Sequence, residues 1–180
     1  MKFVHMSRLI AVVAAVAIVG AVGAPAGARA APGAPVETGK AEVSYRNPAG
    51  FAEMQSSFAG ARTDWLDDLS AYVASRAART LPDGQRLIVT ITDVQRAGRV
   101  EPWRGIGWQD LRIVRDTTPP RIELVFQHVG ANGAVLKEGT RTLRDIDFLG
   151  RHGLRRDEPL AYEKNLIDDW LRNDFGSPSR

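Results

Sequence analysis

The chain has 180 residues, 24 Lys+Arg against 21 Asp+Glu, and no cysteine. Lys2, Arg8 and Arg29 carry the whole formal excess of +3, so the chain beyond residue 30 is formally neutral and has no net field to draw it to nucleic acid or to an anionic membrane. Without cysteine there is neither a disulfide framework nor a thiol to carry a lipid or act as a nucleophile, and stability must come from an ordinary apolar core.

The basic start at Lys2 and Arg8, the apolar run over residues 9–22 and the small-x-small triplet Ala28-Arg29-Ala30 read as a secretory signal over residues 1–30, with cleavage after Ala30. The run is short and rich in Ala and Gly, whereas a spanning helix needs about 20 strongly apolar residues. A periplasmic or secreted protein with no membrane span after cleavage is expected. Residues 31–40, rich in Ala, Pro and Gly, read as a flexible leader, and a single domain is expected over residues 41–176, with a tail at 177–180.

Residues 42–46 alternate polar and apolar side chains like a half-buried strand, which Asn47-Pro48-Ala49-Gly50 stops. From Thr63 the period becomes helical. Trp65, Leu66, Leu69, Tyr72, Val73 and Ala77 form one stripe, with Asp64, Asp67 and Asp68 at the start and Arg76 and Arg79 at the end, where each sign complements the helix dipole. Leu81-Pro82-Asp83-Gly84 closes that helix. Strand-like runs follow at 86–94, 110–115, 121–129 and 134–143, the last two joined by Ala131-Asn132-Gly133, a hairpin signal. Asp157-Glu158-Pro159 starts a second helix with the stripe Tyr162, Leu166, Ile167, Trp170 and Leu171, and Gly176-Ser177-Pro178 ends it. Along its solvent face Lys164 is placed to pair with Asp168, and Asp168 with Arg172. The fold class is therefore α+β: a single domain with an antiparallel sheet of about five strands and two amphipathic helices packed on one face.

Four segments together resemble a family of exported bacterial proteins, domain-of-unknown-function family 3016. They are Leu81-Pro82-Asp83-Gly84-Gln85 with the strand from Leu87 to Val94 and Ala97-Gly98; Arg112-Ile113-Val114-Arg115-Asp116 with Pro120-Arg121-Ile122; Leu143-Arg144-Asp145 with Phe148-Leu149; and Tyr162-Glu163-Lys164 with Asp169-Trp170. The resemblance implies a signal-bearing, single-domain protein of proteobacterial type and supplies no catalytic residues.

No Gly-x-Ser-x-Gly elbow and no glycine-rich phosphate loop occurs. Beyond residue 30 the histidines are His128 and His152, without metal-ligand spacing, so neither a metal site nor a cofactor is expected. Strand parity sets Asp93 on the face of Leu87, Val89 and Ile91, and His128 on that of Ile122, Leu124 and Phe126. If they met they would form an acid/base pair; otherwise each makes a structural hydrogen bond at a strand end. Asp145 and Asp147 read either as paired carboxylates, as in glycosidases, or as turn and cap residues. Glu163, beside an apolar stripe, is expected to bond an Arg or a backbone amide.

The segment Glu101-Pro102-Trp103-Arg104-Gly105-Ile106-Gly107-Trp108 is the strongest binding candidate. Trp103, Arg104 and Trp108 offer flat surfaces and a planar cation suited to a sugar ring or a protein partner, whereas the more frequent fate of such aromatics is to fold back over the open sheet face. The sequence thus points to a non-enzymatic binding or accessory module of the cell envelope, whose partner is an envelope protein or glycan. The alternatives are a carboxylate-dependent hydrolase of an envelope component and a structural or stress-related accessory factor without a stable ligand.

Overall fold

The computed structural model describes residues 35–56, 63–108, 111–150 and 158–176. The signal segment, the cleavage position after Ala30, His152 and the tail at 177–180 lie outside them. In chain order the elements are β1 (Val36–Thr38), β2 (Ala41–Tyr45), α1 (Ala52–Ser56), α2 (Asp64–Thr80), β3 (Arg86–Gln95), β4 (Arg99–Val100), β5 (Arg112–Ile113), β6 (Arg121–Val129), β7 (Val135–Arg144) and α3 (Ala161–Phe175), with short 3-10 turns between them.

The main sheet has five strands in the order β1-β2-β3-β6-β7. It is mostly antiparallel, with one exception: β2 and β3 run parallel. The five-strand, mostly antiparallel sheet is the expected one, and its single parallel pair follows from α2, which carries the chain from the end of β2 back to the start of β3, as a parallel pair requires. Membership differs from the sequence reading. The run at 110–115 yields only β5, which pairs with β4 in a separate two-stranded sheet. Leu111 in that run is half exposed, so it lacks the buried face that holds β6 in the main sheet. The outer place is taken by β1, within the stretch read as a leader: Val36 faces Val43, and the two-residue turn Gly39-Lys40 closes the hairpin.

The core lies on one face. Ala41 and Val43 of β2, Leu87, Val89 and Ile91 of β3, and Ile122, Leu124 and Phe126 of β6 are buried, and they join Leu66, Leu69, Val73 and Ala77 of α2 and Leu166, Ile167, Trp170 and Leu171 of α3 in one cluster. At about 1.5–3 kcal/mol for each large apolar side chain, this cluster dominates folding. The opposite face carries the row Ser44, Thr90, Val125 and Thr140, set by the strand register.

A polar clasp joins the two helices. The Tyr72 hydroxyl donates to both carboxylate oxygens of Asp168 at 2.9 Å, and Arg76 Nε donates to Asp168 Oδ1 at 2.7 Å. Burial, and next the Asp168 carboxylate, push the Tyr72 phenol up to about 12. Asp168 thus faces α2 and does not take part in the intrahelical pairs expected on α3. Lys164 instead reaches Glu158 at 2.9 Å, and Arg172 pairs with Asp169. The start of α3 also shifts, to Ala161, after Leu160 adopts φ 60°, an uncommon conformation for a branched residue, with its side chain buried.

Candidate functional site

Asp93 and His128 lie at opposite ends of the sheet, because β3 and β6 run antiparallel: His128 faces Leu87, whereas Asp93 faces Glu123. A bulge separates them further in kind. The register shifts between Ile91 and Asp93, so Thr92 is an extra residue and Val94, opposite Ile122, inherits the core face in place of Asp93. Asp93 Oδ1 accepts the Ala52 N–H at 2.7 Å at the start of α1, and its Oδ2 meets Arg121 at 2.5 Å. His128 Nε2 contacts Gln85 Oε1 at 2.7 Å, and its ring stands edge-on to Phe175, with centroids 5.2 Å apart. Burial, and then the nearby Lys137, lower the imidazole below its ordinary value. Asp145 accepts the Asp147 N–H at 3.0 Å, the geometry of an Asx turn just beyond β7. The three polar candidates are not brought together.

Between β3 and β6 the chain makes an excursion over residues 96–120, and two buried glutamates hold its base. Glu53 of α1 accepts the Arg96 N–H at 3.1 Å and pairs with Arg112 of β5. Arg112 Nη1 also donates to the carbonyls of Ala97 and Gly98, at 3.2 and 2.8 Å. Glu163 of α3 accepts the Ala97 N–H at 2.7 Å. Burial raises the Glu163 carboxyl above the ordinary glutamate range, against the opposing pull of that N–H and of Arg96 and Arg112. Arg96 lies over the Trp65 ring at 5.5 Å. Gly98, at φ +72°, sits where an added Cβ would stand 2.3 Å from the Ile113 carbonyl oxygen, so only glycine lets the two strands of the small sheet approach. Apart from Glu163, these anchors were missed: the α1 segment carries one glutamate in a short, weakly patterned stretch, and no periodicity marks it for burial.

From this base the binding candidate projects outward. Glu101, 3 % exposed, accepts from Arg115, with a second contact at 3.1 Å, and meets Arg104 at 2.5 Å. The Arg115 hydrogen bond, then that of Arg104, holds the Glu101 carboxyl below the usual range despite the cost of desolvation. The carboxylate is covered by its two arginines rather than by deep protein mass. Two 3-10 turns, Pro102–Arg104 and Ile106–Trp108, flank Gly105, whose φ of +125° is accessible to glycine alone. Arg104 reaches over the Trp108 ring at 5.4 Å. Trp103 is 70 % and Ile106 89 % exposed. Trp103 therefore does not fold back over the sheet, and Trp108, 37 % exposed, is partly covered by Arg104. Beside Trp103 opens a cleft of about 370 Å³ lined by Arg99, Glu101, Trp103, Ile113, Arg115, Thr117 and Thr118. Local pattern marks Arg115 only as part of a strand-like run over 110–115 and does not mark Arg99 at all; the recurrence of arginine on either side of the Trp-Gly loop is the available signal.

These features define a single-domain α+β protein: a β-α-β unit extended by an antiparallel hairpin, with a loop-borne cleft fastened to the core by buried ion pairs. No group of three or more His, Cys, Asp or Glu side chains is disposed to hold a metal among the described residues, and none of their helices is long and apolar enough to cross a membrane. Residues 39–173 match the model of the family described as Protein of unknown function (DUF3016), and the chain belongs to that family. All four family-like segments of the sequence fall within the match. No curated protein and no solved structure matches the chain.

Proposed function

We propose that this protein is a non-enzymatic binding module, exported to the cell envelope, that engages an envelope protein or glycan through the loop bearing Trp103, Arg104 and Trp108. The observation that carries the reading is the free standing of Trp103 and Ile106 on a loop whose base is fixed by Glu101 and the buried glutamates. Large apolar groups held exposed on a pinned scaffold lose little conformational entropy on binding and gain much burial, which is the property of interface anchors. The basic-apolar-small pattern of residues 1–30 supports export. The hydrolase alternative has no comparable support, since Asp93, His128 and Asp145 are each engaged separately.

Crosslinking the protein in its native envelope, with and without the double substitution Trp103→Ala and Ile106→Ala, tests the reading. A discrete crosslinked product that is lost in a variant of unchanged melting temperature is expected. An unchanged product, or a variant that unfolds, refutes the binding role of the loop. N-terminal sequencing of the envelope form is expected to begin at Ala31.

A further inference from the structure

Resting on that reading, we propose that the cleft beside Trp103 binds an anionic saccharide, a pyranose chain carrying carboxylates, with Trp103 as stacking platform, Arg99 as carboxylate partner and Thr117 as hydroxyl partner. The volume of about 370 Å³ lies at the lower end of the range for small-molecule sites, ~300–1,000 Å³, and suits one or two sugar rings rather than a folded partner. The Trp103 ring forms part of its wall and is 70 % exposed, so an apolar ring face is presented beside the polar lining. A pyranose matches this combination, having an apolar C–H face and a rim of hydroxyls.

The charges then select among ligands of that shape. Arg104 and Arg115 are both committed to Glu101. Arg99, exposed on β4 and directed into the same cleft lining, makes no ion pair or side-chain hydrogen bond among the described residues. Its guanidinium offers a planar fork that fits a carboxylate in bidentate fashion. Two guanidiniums, those of Arg99 and Arg115, line the cleft with one carboxylate, and Arg104 pairs with that carboxylate as well, so the local field favours an anion. Trp103 distinguishes a saccharide from an acidic peptide, since its exposed ring matches the apolar face of a pyranose and an acidic peptide has no such face to lay against it.

The test is calorimetric titration of the purified protein with a tetrasaccharide of alternating uronic acid and N-acetylhexosamine, a neutral N-acetylhexosamine tetramer, and a Glu-rich peptide of equal charge. The acidic tetrasaccharide is expected to bind at least tenfold more tightly than either control, to weaken with added salt, and to lose about tenfold in affinity in Arg99→Gln. Trp103→Ala is expected to abolish binding and Trp103→Phe to retain most of it. Equal binding of the neutral tetramer, tighter binding of the peptide, or an unaffected Arg99→Gln would each overturn the proposal. Absence of binding by every probe would overturn it too, while the crosslinking result through Trp103 and Ile106 would stand or fall separately.

Discussion

Glu163 offers the sharpest test of how the excursion is held, because one buried carboxylate oxygen takes one backbone N–H from the excursion at 2.7 Å. In Glu163→Ala the Ala97 N–H loses its acceptor, at a cost of about 1–3 kcal/mol, and a buried methylene is removed at about 0.8 kcal/mol. A loss of roughly 3 kcal/mol is expected, a large part of the ~5–15 kcal/mol by which domains of this kind are stable. Glu163→Gln keeps an amide oxygen for the same N–H and is expected to cost about 1 kcal/mol or less at neutral pH. Urea unfolding measures both: with a slope near 2 kcal/mol per molar, Glu163→Ala moves the midpoint by about 1.5 M. The pH dependence has a definite sign. The folded carboxyl is raised, chiefly by burial, so its contribution to stability is complete below the ordinary glutamate range and is lost as pH rises through the folded value. The advantage of the wild type over Glu163→Gln is therefore greatest in acid and shrinks toward neutrality. If Glu163→Gln destabilises as much as Glu163→Ala, or if neither shifts the midpoint, the assignment of Glu163 as acceptor for the excursion is wrong.

Gly98→Ala is expected to cost more than about 2 kcal/mol, since it combines backbone strain at positive φ with a backbone clash at Ile113; a melting temperature within a degree of wild type would contradict this. Asp168→Ala should cost about 1–2 kcal/mol, mostly through the Tyr72 hydroxyl, because Arg76 is too exposed for its ion pair to add much. Tyr72→Phe should then be nearly neutral in the Asp168→Ala background, and full additivity in denaturant unfolding would contradict the clasp. His128 is depressed by burial first and by Lys137 second, so its contribution is present above about pH 6.5 and is lost as pH falls through the lower folded value. In unfolding series from pH 7 to 5, His128→Gln is expected to remove that part of the acid slope.

The parts of the fold written in local pattern were readable. Strand β6 covers the run 121–129 residue for residue, α2 begins at Asp64 beside the expected start, and the Asn132-Gly133 turn closes β6 onto β7, with Gly133 at φ +80°. What could not be read depends on partners remote in sequence. The parallel β2–β3 pairing is decided by where α2 packs. The bulge at Thr92 defeats a parity argument that treats a strand as regular throughout, and it moved Asp93 off the core face. Asp168 was assigned to its own helix because sequence spacing does not show that Tyr72 and Arg76 wait across the helix pair. At the candidate site Trp103, Arg104 and Trp108 were legible from residue type, whereas Glu101, Arg99 and Arg115 gain their roles only from the small sheet that gathers them.

The pairing of Gln95 with Arg121 means that the excursion leaves and rejoins the main sheet at facing positions. Its length is thereby uncoupled from the registration of β3 on β6, much as an appliance can be exchanged at a socket without rewiring the wall. Lineages could lengthen, shorten or recarve residues 96–120 while leaving the strand pairing intact, provided that Glu53 and Glu163 still find backbone amides to hold. Diversity among such proteins would then concentrate in this one segment, and the sheet beneath it would remain a constant chassis.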